Sequence, residues 1–373
     1  MSRLEIFLVA PPGLEPMLEA EARRHGLAVA GRTAGGVFVS GDWADVWTAN
    51  LMLRGATRVL VRLAEFRVSH LAQLDKRARG VDWARWLQPD TPVRVDAVCR
   101  KSKIYHSGAA AERIARAIQE TSGAPTQDDA PVRIQARLDH DVCTLSLDSS
   151  GEPLHKRGRK PAVAKAPMRE TLAALFLRAC EYSGDEPLID PMCGSGTFLL
   201  ESAEIAAGLP PGRDRPFAFE QLANFDEAAW RALRADAVAR ATKPASPILG
   251  FDRDPGAVRA ATENAQRAGL ADFVEIRRRG VADLTAPPGP AGLVIVNPPY
   301  GARIGDQAAL RRLYRTLGQR LKSGFNGWRV GLITSVPGLA KATGLRLRAG
   351  PPIDHGGLKV RLYQTSIPPA PQA

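Results

Sequence analysis

The order of apolar and polar positions divides the chain into three parts, of which the first, residues 1–68, reads as a small α+β unit. Short apolar runs predict strands at residues 4–10, 37–40 and 59–63. Apolar positions at helical spacing predict helices over residues 16–25 and 43–51, and Asp42 stands where an N-cap belongs. This part contains no motif that indicates chemistry.

The second part covers residues 69–152 and ends in a pair of strands. The pattern predicts helices at 71–79, 82–87 and 108–120, and strands at 93–98, 132–138 and 142–147. His140-Asp141 is typical of a hairpin turn between the last two strands. Residues 153–166 are basic and too short to form a core, so we interpret them as a linker.

In the third part, residues 167–367, short apolar strands alternate with helices. The predicted strands are residues 188–190, 248–251, 273–277, 293–296, 329–334 and 358–365. Alternation of this length is typical of an α/β fold with a doubly wound, mostly parallel sheet. Residues 345–364 predict a hairpin, so one edge strand is expected to be antiparallel.

The composition fits a globular chain with a polyanionic partner. Of 373 residues, 45% are hydrophobic and 24% are charged, which predicts two or three domains with sizeable cores. The net charge of +12 favours a nucleic-acid partner, although a bias towards Arg and Ala would explain the same excess.

Cysteine usage and hydropathy argue against several classes of protein. Cys99, Cys143, Cys180 and Cys193 form no C-x-x-C pair, so neither a metal site nor a disulfide framework is predicted. No apolar run approaches the roughly 20 residues of a membrane span, and the first run is too short for a signal peptide. We therefore expect a cytoplasmic protein; its oligomeric state is not predicted.

A glycine turn follows the first strand of the third part. Gly194 and Gly196 would let a ligand approach the backbone, and amide groups at the start of the next helix can receive an anionic group. The turn is not a P-loop, because no Gly-Lys-Ser/Thr follows, and it is not a G-x-G-x-x-G motif, because Leu199 stands where the third glycine would be. Asp190 before the glycines suits a cationic ligand group, such as an ammonium or a sulfonium. A purely structural turn is the alternative.

Acidic residues also follow the next two strands. Asp252 can accept hydrogen bonds from both ribose hydroxyls, whereas the alternative role of a helix N-cap fits Asp254 better. Asp283 can approach an adenine amino group, or it can simply cap a turn.

Asn297-Pro298-Pro299-Tyr300 follows a run of four apolar residues that predicts a buried parallel strand. Two prolines make the turn stiff and leave its carbonyls free to accept hydrogen bonds. An amide, free carbonyls and a Tyr ring together can hold a flat group that carries an amine. A strand-ending turn without chemistry is the alternative.

Two basic stretches are candidates for RNA binding. In the first, Lys101, Lys103 and Tyr105 can hold phosphate and stack on a base, unless the loop is merely solvated. The second is the linker, whose candidate phosphate contacts are His155, Lys156, Arg157, Arg159 and Lys160.

These features together resemble two known modules. The second part resembles a THUMP domain, an RNA-binding module, with its core segment at residues 101–107. Residues 167–365 resemble a Rossmann-like class I S-adenosyl-L-methionine-dependent methyltransferase of the amino-methylating group, whose fourth motif has the form Asn-Pro-Pro-Tyr. With Gly301-Ala302-Arg303 after that motif, the whole chain resembles the bacterial THUMP-containing 23S rRNA guanine-N2-methyltransferases, in a version with a single methyltransferase half.

The resemblance implies a cofactor, a substrate and a set of contacts. S-adenosyl-L-methionine is expected to contact Asp190, Pro191, Cys193, Gly194, Ser195, Gly196, Thr197, Asp252, Arg253 and Asp283. The catalytic residues are expected to be Asn297, Pro298, Pro299 and Tyr300, which hold an exocyclic amine of a base. The partner is expected to be rRNA, with tRNA guanine-N2 or adenine-N6 methylation, or a non-catalytic RNA-binding assembly factor, as alternatives.

Overall fold

The computed structural model describes residues 3–157, 168–300 and 307–369. The first elements are β1 (Leu4–Val9), α1 (Glu15–Arg24), β2 (Val29–Thr33), β3 (Gly36–Gly41), α2 (Trp43–Met52), β4 (Arg58–Arg67), α3 (Leu71–Arg79), β5 (Val93–Arg100), α4 (Ser107–Ser122), β6 (Val132–Asp139) and β7 (Val142–Asp148). They are followed by α5 (Glu170–Ala179), β8 (Leu188–Asp190), α6 (Thr197–Ala207), α7 (Glu227–Ala239), β9 (Ile248–Asp252), α8 (Pro255–Arg267), β10 (Glu275–Arg278), β11 (Leu293–Val296), α9 (Gln307–Gly324), β12 (Arg329–Thr334), α10 (Pro337–Ala342), β13 (Arg348–Ala349), β14 (Ile353–His355) and β15 (Leu358–Ser366).

The chain forms two compact units that are not contiguous in sequence. Unit 1 comprises Met1–Ala10, Leu18–Leu154 and Gly212–Asp236. Unit 2 comprises Pro11–Met17, His155–Pro211 and Ala237–Ala373. The first two predicted parts therefore share one unit, and that unit also takes in a segment from the third.

Among the described residues, unit 1 is built on a seven-stranded sheet in the order β2-β3-β1-β4-β7-β6-β5. Strand β4 pairs with β1 on one side and β7 on the other, so it joins the strands of the two predicted N-terminal domains. The sheet is antiparallel except between β5 and β6. Val132, Ile134 and Leu138 of β6 are buried, as the alternation of apolar residues along this strand requires.

The segment 212–236 belongs to unit 1 through an aromatic cluster. The rings of Phe217 and Phe219 stack at 5.2 Å, and Trp230 meets Phe219 edge-on at 5.0 Å. Trp47 of α2 packs against Phe219 at 6.2 Å and against Phe225 at 6.1 Å. Burying several large aromatic rings is strongly favourable, which explains why the segment stays with this unit.

Unit 2 has, within the described ranges, an eight-stranded sheet with the main order β10-β9-β8-β11-β12-β15-β13 and with β14 paired to β15. The strands from β10 to β12 are parallel, and β11 is fully buried, as its apolar, β-branched sequence predicts. This order confirms the predicted doubly wound α/β fold. The antiparallel part is larger than the predicted single edge strand and contains β13, β14 and β15. Gly356 and Gly357 both have positive φ and make the tight turn between β14 and β15.

No helix within the described ranges is both long enough and apolar enough to cross a lipid bilayer.

Candidate active site

Three polar side chains lie at adjacent strand ends in unit 2. Asp190 ends β8, Asp252 ends β9, and Asn297 follows β11 directly. Strand β8 pairs in parallel with both β9 and β11, so their carboxyl ends meet at one edge of the sheet. The chain order reverses between β8 and β11, and such a switch point is where open α/β sheets bind ligands.

The glycine turn after β8 uses its two glycines differently. Gly194 has φ +53°, and a Cβ built there would meet no atom within 4 Å, so this part of the backbone is open to a ligand. Gly196 has φ +84°, and a Cβ there would lie 3.2 Å from the Cβ of Ala261 in α8. The first glycine therefore leaves space for a bound group, whereas the second allows two helices to pack.

Neighbouring segments hold this turn by hydrogen bonds. The Gly194 amide donates to Asp252 Oδ2 at 3.1 Å, and the Asn264 side-chain amide donates to the Ser195 carbonyl at 2.9 Å. Thr197 Oγ1 donates to the Met168 carbonyl at 3.5 Å. Asn264 was missed by the sequence analysis, because a polar residue inside a helix carries no signal of a partner 69 residues away.

Asp190 is buried, with 2% of its surface exposed. Its Oδ1 accepts a hydrogen bond from the Met192 amide at 3.2 Å. Burial raises the pKa of Asp190 to about 8, and the charge of Asp252 adds to the increase. A buried carboxylate is costly unless a cation faces it, so the residues present fit a ligand that brings a positive group to the glycine turn.

The other residues of the turn are shielded from solvent. Pro191, Cys193 and Ser195 are buried. Burial raises the pKa of the Cys193 thiol, and the nearby Asp190 and Asp252 raise it further. Cys193 is therefore a neutral thiol at physiological pH and not an activated nucleophile.

Asp252 is held at both carboxylate oxygens. Oδ2 accepts from the Gly194 amide, and Oδ1 accepts from the Asp254 amide at 3.0 Å. Each oxygen retains a second lone pair, so ribose hydroxyls can bind without displacing these bonds. Asp254 is the N-cap of α8, since its Oδ1 accepts a hydrogen bond from the Gly256 amide at 2.8 Å. This agrees with the expectation that the N-cap role fits Asp254 better than Asp252. Arg253 beside them is exposed.

Asp283 lies outside this group of bonded acids. It ends a short 3₁₀ turn, Val281–Asp283, and its side chain is exposed. Its backbone amide donates to the Gly280 carbonyl at 3.1 Å.

The loop after β11 contains a buried acceptor without a partner. Asn297 Oδ1 is shielded from water, yet within the described residues nothing donates to it. Tyr300 packs on the hydrophobic cluster beneath the loop, and burial raises its pKa. The Pro299 carbonyl accepts from Tyr314 Oη at 3.3 Å. Residues 301–303, part of the motif quoted above, lie outside the described residues.

The first basic stretch is an ordered loop in unit 1. Tyr105 is 84% exposed, and Lys101 and Lys103 are exposed beside it. Asp141 in the β6–β7 turn holds the loop, because its amide donates to Ser102 Oγ at 3.0 Å and its Oδ1 accepts from the Lys103 amide at 2.7 Å. His140 and Asp141 both have positive φ, as expected for the hairpin turn.

The second basic stretch is placed only in part. Arg157 is buried, and its guanidinium pairs with Glu201 of α6 at 3.3 Å, so this side chain is engaged within the unit. Lys156 is exposed, and burial lowers the pKa of His155, which Arg169 lowers further. Arg159 and Lys160 lie outside the described residues. In the part of the chain that is described, no three His, Cys, Asp or Glu side chains gather as metal ligands.

Family models match three successive parts of the sequence. Residues 5–60 match the RlmL ferredoxin-like domain, and residues 68–148 match the THUMP domain. Residues 157–350, about half of the chain, match the RMKL-like methyltransferase domain.

Individual proteins of known name are similar to this chain over nearly its whole length. The ribosomal RNA large subunit methyltransferase K/L of Syntrophotalea carbinolica is 35% identical over 98% of this chain, which spans only 54% of that protein. Slr0064 of Synechocystis sp., named as a candidate RNA methyltransferase, is 33% identical over 97% of this chain and 96% of its own length. Among solved structures, SMU.472, crystallised with SAH, matches with a TM-score of 0.90 at 28% identity, and the match covers 100% of both chains.

The chain spans about half the length of the K/L relatives and nearly the whole of slr0064. With the methyltransferase model matching residues 157–350, this chain belongs to the RMKL-like methyltransferase family.

Proposed function

We propose that the chain is an S-adenosyl-L-methionine-dependent RNA methyltransferase that modifies an exocyclic amine, with guanine N2 of 23S rRNA as the substrate. The observation that carries this proposal is Asn297 Oδ1, a buried acceptor without a donor at the ligand-binding edge of the sheet. Leaving such an oxygen unpaired costs about 1–3 kcal/mol, so the site is built for a donor that arrives from outside. The names of the K/L relatives favour rRNA as the source of that donor.

The glycine turn and the two bonded acids support the cofactor. When bound, S-adenosyl-L-methionine supplies an electrophilic methyl group on a sulfonium. Asp190 can face its ammonium group, the open backbone at Gly194 gives it room, and Asp252 can accept both ribose hydroxyls. We assign the remaining residues of the turn, together with Arg253 and Asp283, to the same binding site.

The loop after β11 then holds the amine. A target base is turned out of its stack into the pocket, as enzymes that modify bases require. Asn297 Oδ1 and the Pro298 carbonyl accept the two N–H bonds of the amine, which keeps its lone pair on nitrogen and directs it into the site. Tyr300 stacks on the base. Positioning supplies most of the rate, and no strong general base is needed if the proton leaves after transfer.

In this proposal the RNA contacts come from a loop of unit 1 and from the linker at the start of a segment of unit 2. Lys101, Lys103 and Tyr105 stand on a loop that hydrogen bonds hold in place, which is suited to phosphate contact and base stacking. Lys156 is an exposed cation of the linker. An rRNA substrate would place the reaction in the cytoplasm.

The test is methyl transfer to rRNA from a strain that lacks the gene, followed by mass spectrometry of the nucleosides. We expect N2-methylguanosine in a 23S fragment. Asn297→Ala should lower the rate roughly 100-fold or more while calorimetry shows unchanged S-adenosyl-L-methionine binding. Asn326→Ala, an exposed Asn in the same unit, is the matched control and should keep the wild-type rate.

Other outcomes separate the alternatives. N6-methyladenosine as the product would refute the guanine assignment, and a methylated tRNA in place of rRNA would refute the substrate. Absence of S-adenosyl-L-methionine binding would favour a non-catalytic RNA-binding factor. An Asn297→Ala variant with near-wild-type turnover would show that the amine is held elsewhere.

A further inference from the structure

We propose that Tyr314 is a positioning residue for the Asn297–Tyr300 loop: its hydroxyl holds the Pro299 carbonyl and thereby fixes the groups that receive the amine. This role rests on the methyl-transfer function proposed above. Tyr314 lies in α9, is fully buried, and donates from Oη to the Pro299 carbonyl at 3.3 Å.

The loop depends on this bond because it has few other anchors. Pro298 and Pro299 have no backbone N–H and cannot donate. Within residues 3–157, 168–300 and 307–369, the Tyr314 bond is the one hydrogen bond that reaches Asn297–Tyr300. Because each proline fixes φ, holding one carbonyl restricts the orientation of the whole Pro-Pro unit and of the residues on either side.

A second hydroxyl lies beside the first. Thr334 ends β12, is fully buried, and lowers the pKa of the Tyr314 phenol, which burial raises overall, so the two side chains are neighbours. Thr334 Oγ1 accepts from the Val336 amide at 3.2 Å, which leaves its own proton for the Tyr314 oxygen. In the proposed relay, Thr334 donates to the Tyr314 oxygen, and the Tyr314 proton is directed at the Pro299 carbonyl.

Tyr314 belongs to the same packed surface as the residues it positions. The hydrophobic cluster of unit 2 contains Tyr314 and Leu332, and Tyr300 packs against it. A phenylalanine at position 314 would keep that packing and remove only the oxygen. The hydroxyl is therefore separable from the core contacts, which makes the proposed role testable.

The experiment compares Tyr314→Phe with Tyr363→Phe, a buried tyrosine of the same cluster. We expect Tyr314→Phe to lower kcat roughly 10-fold or more, with KM for RNA and Kd for S-adenosyl-L-methionine within about twofold of wild type. Tyr363→Phe should keep kcat within about twofold. The proposal would be overturned if kcat of Tyr314→Phe stayed within about twofold of wild type, or if Tyr314→Phe and Tyr363→Phe lost kcat equally.

A second pair covers the case in which Tyr314→Phe fails to fold. Thr334→Val should lower kcat, and Thr334→Ser, which keeps the hydroxyl, should restore it; equal activity of the two would overturn the relay. A wild-type protein that transfers no methyl group would instead refute the proposed function. An active wild type with an unaffected Tyr314→Phe would refute only the role of Tyr314.

Discussion

Asp190 shows how one buried side chain can link the ligand site to stability. The residue is 2% exposed, and burial raises the pKa of its carboxyl from 3.8 to about 8. The native protein therefore keeps the proton between about pH 4 and about pH 8, where the unfolded chain loses it. Stability from this group is fully present at low pH and is lost as the pH rises through this window.

We predict that the free energy of unfolding of the ligand-free protein falls as pH rises through this window, by at most about 6 kcal/mol from Asp190. Asp190→Asn carries no such proton and should flatten that part of the curve. Urea unfolding at about pH 5, 7 and 9 measures the effect. Asp272→Asn, at an exposed acid of the same unit, should leave the slope unchanged. Parallel curves for wild type and Asp190→Asn would mean that Asp190 ionises as an exposed acid does.

Single residues also show where sequence reasoning ends. Asp190, Asp252 and Asn297 could be proposed because each follows an apolar strand, and position in an α/β chain predicts position in space. Tyr314 and Asn264 could not, because their partners are set by how helices pack on the sheet. Arg157 looked like a phosphate contact in a basic run but pairs with Glu201, a residue 44 positions away.

At the scale of elements, the buried strands were predictable and the edges were less so. Strand β11 has four consecutive apolar residues, all buried, and the structure places it as predicted. Strand β2, Val-Ala-Gly-Arg-Thr, was missed because it is a mostly exposed edge strand without apolar alternation. The basic loop of Lys101, Lys103 and Tyr105 was located from its composition, but the bonds to Asp141 that order it depend on the neighbouring hairpin.

The ordered loop leads to a prediction about RNA affinity. Lys103→Ala combined with Tyr105→Ala removes one cation and one stacking surface but keeps the Ser102 and Asp141 bonds. The Kd for RNA should rise roughly 10-fold or more, with a shallower dependence on salt, because fewer counterions are released on binding. Filter binding across a salt series measures this effect.

The control for this prediction is an exposed cation outside the loop. Lys322→Ala, at the end of α9, should leave RNA affinity within about twofold of wild type. The wild type, the double variant at Lys103 and Tyr105, and Lys322→Ala should bind S-adenosyl-L-methionine with equal affinity. An equal loss of RNA affinity in both variants would indicate a diffuse charge effect and not a contact made by the loop.

At the scale of the whole molecule, the chain passes between its two units five times, after residues 10, 17, 154, 211 and 236. Sequence order suggested successive domains, and nothing in residues 212–236 marks them as part of unit 1. The aromatic residues of this segment supply the reason, since their partners include Trp47 of α2. A composition-based reading finds such a cluster only when its members are close in sequence.

We predict that Trp230→Ala destabilises unit 1, by roughly 3–5 kcal/mol, because it empties a site bordered by Phe217 and Phe219. Hydrogen exchange of the β4 and β7 amides should accelerate accordingly. Arg231→Ala, at the exposed neighbouring position, should change protection little. Unchanged exchange in Trp230→Ala would mean that the segment 212–236 contributes no stability to the sheet of unit 1.

The same connectivity has a consequence during synthesis on the ribosome. Unit 1 lacks its last segment until residue 236 has emerged, which is 82 residues after Leu154 (236 − 154). Protein synthesis adds about 5–20 residues per second, so the side chain of Trp47 stays uncovered in the nascent N-terminal sheet for on the order of 4–16 s. Premature termination anywhere in that interval would release a chain with an unfilled aromatic surface, and we expect chaperones that bind exposed apolar side chains to attach to the nascent chain in this period.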